Sequence, residues 1–167
     1  MLTRAIIAVA TTLTALSPGV AGAQQVLPRS ALTASGGYAL FVDELLIPHA
    51  VVGVGAEWLA TPRIAVGPEL LYMVGPGSDR DLFVLGVVRV GIRPFSARVA
   101  PFVTAGGGLM RHSSRFGGRA FSATEGAYVA GGGVRIAVTP RVSLAPEVTT
   151  GWEAHLRASV SVGIRLR

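Results

Sequence analysis

Cysteine is absent from the 167-residue chain, so it offers no disulfide, no thiolate metal site and no cysteine nucleophile. Lysine is absent too, and all 15 basic residues are arginines. They outnumber nine acids and give a formal net charge of +6, yet they lie scattered along the chain. No dense basic run interleaved with aromatics occurs, which argues against nucleic acid as a partner. Beyond the N-terminal region no segment stays apolar for the roughly 20 residues that a membrane-spanning helix needs. Half of the residues are nevertheless hydrophobic.

The N-terminal region has the layout of an export signal. Arg4 supplies a positive start, Ala5 to Leu16 is apolar apart from threonine, and Ser17-Pro18-Gly19 breaks the helix. Ala21-Gly22-Ala23 then fits the small-x-small cleavage rule. Residues 1–23 are therefore expected to be removed, leaving one domain over 24–167.

The remaining hydrophobicity alternates. From Leu156 to Leu166 every second residue is apolar, while Arg157, Ser159, Ser161, Gly163 and Arg165 take the other parity. A strand points successive side chains to opposite faces, so this segment has one greasy and one wet face. Eight such segments are expected, near 31–42, 49–60, 64–74, 82–93, 99–110, 127–138, 142–152 and 156–166. Their lengths suit tilted membrane strands of about 9–11 residues. Thr61-Pro62-Arg63, Pro94 to Arg98 and Thr139-Pro140-Arg141 read as tight turns. Gly75 to Asp81 and Arg111 to Glu125 read as longer polar loops on the other side. The parity of the glycine-rich first and fifth segments stays open.

The chain also reads as a duplication. Thr61 to Glu69 (TPRIAVGPE) returns as Thr139 to Glu147 (TPRVSLAPE), and Val90 to Arg93 returns as Val162 to Arg165. Pro68 and Pro146 fall at matching places, where a missing donor should cause a bulge or a lost ladder bond.

The polar parity carries Glu57, Glu69 and Glu147 against Arg89, Arg135, Arg157 and Arg165, and is otherwise mostly small. A solvent-facing sheet would carry Lys, Asn, Gln and Asp, and these segments have almost none. Paired charges in a narrow interior fit better, because eight strands leave just enough room for side chains. Tyr38, Tyr72, Tyr128 and Trp152 sit toward the long-loop ends and Trp58 toward the opposite end, as aromatic girdles at the two membrane–water boundaries would. The expected fold is an all-β, eight-stranded antiparallel up-and-down transmembrane barrel. A soluble barrel with its greasy faces inward, a lipocalin-like small-ligand binder, is the alternative. Open aqueous channels belong to barrels of roughly 16 strands, so a diffusion pore is not indicated.

Segments such as Ala100-Pro101-Phe102-Val103-Thr104-Ala105-Gly106-Gly107-Gly108 and Val88-Arg89-Val90-Gly91-Ile92-Arg93 resemble strands of the small outer-membrane β-barrel family that includes the OmpA transmembrane domain and OmpX. The resemblance implies an outer-membrane protein of a Gram-negative bacterium with a structural or surface-interaction role and no catalytic residues. It implies no cofactor. The expected partners are outer-membrane lipid, lipopolysaccharide and the barrel-assembly machinery, with the protein a monomer. His112-Ser113-Ser114 also resembles the His-x-Ser motif of lipid A deacylases, which are barrels of the same size. That alternative would make His112 the base, Ser114 the nucleophile and Glu125 or Glu147 the orienting acid.

His49, His112 and His155 all fall at the long-loop end, without ligand spacing or a neighbouring carboxylate motif. They read as solvated rim histidines, with no metal expected. Arg111, Arg115 and Arg119 in the 111–125 loop are candidates for bidentate contacts with lipopolysaccharide phosphates.

Overall fold

In the computed structural model, which describes residues 30–42 and 46–166, eight antiparallel strands close into one barrel. The expected export signal lies outside the described residues. The strands are β1 (Ser30–Val42), β2 (Leu46–Thr61), β3 (Ile64–Val74), β4 (Arg80–Gly91), β5 (Val99–Phe116), β6 (Arg119–Ala137), β7 (Val142–Gly151) and β8 (His155–Arg165). Each pairs with its neighbours in sequence. β8 returns to β1 through a ladder running from Ala31 opposite Arg165 to Phe41 opposite His155. Closure leaves no edge strand to template aggregation.

The alternation in the sequence becomes the inside and outside of the barrel. Leu32, Val54, Leu70, Val84, Val148 and Val160 are all exposed on the outer wall. The glycine-rich strands follow the same rule: β1 turns Ala39 and Phe41 inward, and β5 turns Phe102, Thr104 and Met110 inward. The interior is less uniformly small than the sequence suggests. Leu71, Met73, Phe83, Leu85, Met110 and Val129 form an apolar plug in the half of the lumen away from the tight turns.

The duplicated turns share one device. Thr61 Oγ1 accepts the backbone N–H groups of Arg63 and Ile64 at 3.2 and 3.0 Å. Thr139 Oγ1 accepts those of Arg141 and Val142 at 3.2 and 2.9 Å. The prolines also behave alike. The β2–β3 ladder steps from Gly55–Glu69 to Trp58–Val66, and the β6–β7 ladder from Gly133–Glu147 to Ile136–Leu144. Pairing lapses beside Pro68 and Pro146 without a change of register, while a register shift lies farther on, between Leu59 and Thr61. Gly67, next to Pro68, has the Ala56 carbonyl where a Cβ would stand, so β2 and β3 approach too closely there for any side chain.

The polar loop expected over 111–125 is instead an extension of β5 and β6. The two strands pair as far as Phe116 opposite Arg119 and turn through Gly117 and Gly118, at φ +57° and +80°. Two residues with positive φ match the twist of a hairpin, and a glycine pair supplies them without strain. The loop between β3 and β4 is likewise shorter than expected, since β4 begins at Arg80.

Candidate functional site

Two polar layers occupy the lumen, one near the tight turns and one at the opposite rim. In the first, Arg89 of β4 is the hub. Its Nη1 lies 3.2 Å from Glu57 Oε1, and its Nη2 lies 3.2 Å from Glu69 Oε2 and 3.3 Å from Glu147 Oε2. Arg135 closes on Glu57 at 2.6 Å, and Arg157 stands 3.6 Å from Glu69 while donating to Thr149 Oγ1 at 3.0 Å. Three arginines thus face three glutamates. All six stand at inward positions of their strands, where period-two alternation puts them. A charge buried alone would be costly, and each of these has an opposite charge within reach.

Arg165 is not part of this layer. Its guanidinium donates to the Phe95 carbonyl at 2.8 Å and to the Pro140 carbonyl at 3.4 Å. Phe95 is a residue the sequence did not single out. It folds in from the β4–β5 turn, is buried against Phe102 with ring centroids 6.3 Å apart, and carries the Arg135 guanidinium over its face at 4.3 Å. It closes the tight-turn mouth of the barrel and helps hold Arg135 toward Glu57.

In the second layer two of the three histidines expected to be solvated at the rim are buried, His112 stays partly exposed, and carboxylates stand beside His49 and His112 although no carboxylate motif neighbours them in sequence. His49 is 3% exposed and His155 1%. His49 Nε2 lies 3.1 Å from Asp79 Oδ2 and 3.4 Å from Asp81 Oδ2. His112 Nδ1 lies 2.7 Å from Asp81 Oδ1 and 3.5 Å from Asp79 Oδ1. Asp81 and His112 are direct cross-strand partners between β4 and β5. His49 reaches Asp79 because Gly75 lies between them: a Cβ on Gly75 would collide with the imidazole. The ligand atoms of His49, Asp79 and Asp81 all lie within 4.8 Å of one another, so these three residues could hold a metal ion. They border a cavity of about 490 Å³ that opens at the rim. Glu153 and Ala154, in the β7–β8 turn, complete its wall. Both have positive φ, 58° and 35°, which is uncommon for residues with a Cβ. Partial burial holds the Glu153 carboxyl above the usual carboxylate range, and the negative charge of Asp81 pushes it the same way.

The five aromatic residues Tyr38, Trp58, Tyr72, Tyr128 and Trp152 all stand exposed on the outer wall, and Tyr128 and Trp152 meet edge to face at 6.0 Å. Arg111 and Arg115 also point outward, on the projecting β5–β6 hairpin. With Arg80, Ser113 and Ser122 they border a shallow hollow of about 450 Å³. Arg119 follows Gly118 directly and falls on the other face of the hairpin. The deacylase-like residues are not brought together. The His112 ring is turned to Asp81, Glu125 accepts from Trp152 Nε1 at 3.2 Å, and Glu147 is held deep in the lumen by Arg89.

No protein-family model matches the chain, and no curated protein sequence does. Solved structures do resemble it in fold. Neisserial surface protein A aligns at a TM-score of 0.73 with 14% identity, covering 82% of this chain and 97% of its own. The N-terminal β-barrel domain of Pseudomonas aeruginosa OprF aligns at 0.60 with 9% identity, covering 80% and 96%. Ail, the attachment invasion locus protein of Yersinia pestis, solved with the heparin analogue sucrose octasulfate, aligns at 0.55 with 11% identity, covering 80% and 94%. The chain therefore has the eight-stranded barrel fold of small bacterial outer-membrane proteins.

Proposed function

We infer that this chain is an integral outer-membrane barrel protein with a plugged lumen, and that it acts through its rim, without catalysis and without conducting solutes. One observation carries the reading: the outer wall is apolar on all eight strands while the ion pairs are inside. Exposed apolar area of that extent marks a membrane or interaction surface. In a bilayer the same wall costs nothing, and the closed ladder satisfies backbone groups that lipid cannot. A lipocalin-like ligand binder needs the reverse arrangement. The aromatic residues at the ends of the outer wall suit the two interfaces.

The rim hollow bordered by Arg80, Arg111 and Arg115 supports contact with lipopolysaccharide. Guanidinium forks match phosphate oxygens, and the neighbouring serine hydroxyls can donate as well. Ail, a barrel of the same fold, has been solved with the sulfated heparin analogue sucrose octasulfate, a class of anion that guanidinium groups also suit. Insertion by the barrel-assembly machinery and a monomeric state complete the proposal.

Membrane fractionation tests it. The protein should be recovered with the outer membrane and should migrate differently on gels with and without boiling, as folded barrels do. Recovery from the soluble periplasmic fraction without detergent would overturn the reading. Lipid A masses unchanged by expression of the protein, and by its Ser114→Ala variant, are the expected result for a non-enzyme.

A further inference from the structure

We propose that the rim cluster is a binding site for a divalent transition-metal ion such as Zn2+, with His49 Nε2, Asp79 Oδ2 and Asp81 Oδ2 as ligands and His112 holding the carboxylates from behind.

The hydrogen bonds of His49 point to a cation. Its Nδ1 lies 3.3 Å from the Ile47 carbonyl, which can only accept, so Nδ1 carries the ring proton. In the neutral ring Nε2 then presents a lone pair, and that lone pair faces two carboxylate oxygens at 3.1 and 3.4 Å. In that state three acceptors converge on one point, and either a second ring proton or a metal ion must stand between them. A carbonyl that fixes the tautomer and leaves the other nitrogen free is also the usual outer support of a metal-bound imidazole.

The charge balance points the same way. Asp81 is 2% exposed, and among the described residues its ion-pair partners are His49 and His112. Arg80, the nearest arginine in sequence, spends its Nη1 on the carbonyls of Gly75 and Asp79. A buried carboxylate beside a second, partly exposed one is costly without an arginine, and a dication neutralises both. Asp79 Oδ1 is buried without a hydrogen-bond partner. Beneath the cluster, His155 repeats the arrangement of His49: its Nδ1 lies 2.7 Å from the Trp152 carbonyl and its Nε2 has no partner. The rings of His49 and His155 pack on Phe41, with centroids 4.6 and 4.9 Å away.

The dimensions suit a small ion. Ligands at roughly 2.0–2.2 Å in a tetrahedral site stand about 3.3–3.6 Å apart. The nitrogen–oxygen separations at His49, 3.1 and 3.4 Å, lie within a few tenths of an ångström of that spacing. An imidazole in the set favours Zn2+ over Ca2+ or Mg2+, which prefer all-oxygen sites of higher coordination. His112 Nδ1, 2.7 Å from Asp81 Oδ1, orients the carboxylate from outside the ligand set.

The test uses the barrel folded in detergent micelles and stripped of metal with a chelator. Calorimetric titration with Zn2+ should show one saturable site per chain, with Ca2+ and Mg2+ giving none at the same concentrations. His49→Gln and Asp81→Asn should each abolish that site, while His112→Gln should weaken it and leave the stoichiometry unchanged. Heat-modified mobility of each variant shows whether it has folded. Should a variant fail to fold, Co2+ added to the parent decides: visible absorption bands of a nitrogen- and oxygen-ligated ion, bleached by one equivalent of Zn2+, support the site. Absence of saturable zinc binding to the parent, absence of those bands, or full retention of binding by folded His49→Gln would each overturn it.

Discussion

Arg89 of β4 reaches across the lumen to Glu147 of β7, its Nη2 standing 3.3 Å from Glu147 Oε2. The two residues are not equivalent. Arg89 also serves Glu57 and Glu69, whereas Glu147 has its other oxygen unpartnered. Arg89→Leu therefore leaves carboxylates buried without their hub and should cost about 3–5 kcal/mol. Glu147→Gln leaves Arg89 with two glutamates and should cost about 1.5–3 kcal/mol, the range for a hydrogen bond to a charged group. Urea unfolding in detergent micelles measures both, and the reverse order would show that Arg89 is not the hub.

Val162 tests the outer wall. It faces outward between Ala34 and Leu144, near the middle of its strand. Val162→Arg should lower the stability of the inserted barrel by roughly 2–4 kcal/mol, the cost of a lipid-facing arginine near mid-depth. Val162→Leu should be close to neutral. Folding into lipid vesicles, followed by the heat-modified band, reads both, and equal yields for Arg and Leu would refute a lipid-facing Val162.

Phe95 tests the closure of the tight-turn mouth. Phe95→Ala removes a fully buried ring and should cost about 3–5 kcal/mol. It also takes away the surface over which Arg135 lies, so the loss should exceed that of Leu59→Ala, a less deeply buried neighbour at the same end. Unchanged denaturant midpoints would mean that the turn does not depend on its aromatic residue.

Glu153 makes stability depend on pH. Burial and the charge of Asp81 raise its pKa in the folded barrel above the unfolded value. The contribution is therefore fully present below the ordinary carboxylate range and is lost as pH rises through the elevated folded pKa. Glu153→Gln, which does not ionise, should escape that decline. Its stability relative to the parent should increase over the span just above the ordinary carboxylate range and then level off. Unfolding curves collected against pH, with chelator present, check this, and a constant difference across that span would contradict it.

Strand parity was open to reading because each segment repeats one decision many times. Leu156 to Leu166 presents six apolar residues on one face, and no single residue carries the assignment. Glu57, Glu69, Arg89 and Glu147 all fall on the opposite, polar parity, so their common orientation follows from it. The rim cluster does not follow. His49 and Asp79 lie 30 positions apart and meet only because Gly75 leaves room for the ring. Nothing in the spacing of Pro94 to Arg98 says that Phe95 turns inward. Gly117-Gly118 was a legible hairpin signal that polar, arginine-rich flanks obscured, because exposed strands lose the greasy alternation that marks buried ones.

The lapses in pairing beside Pro68 and Pro146 divide the wall. They fall between β2 and β3 and between β6 and β7, so the cylinder is made of two four-stranded staves joined along two weakened seams. The residues stranded at those seams include Glu57 on one and Arg135 on the other, and these two side chains clasp each other through the interior at 2.6 Å. That clasp ties stave to stave where the backbone does not. The ladders pair on either side of each lapse, and the clasp adds a tie through the interior at the two places where they do not.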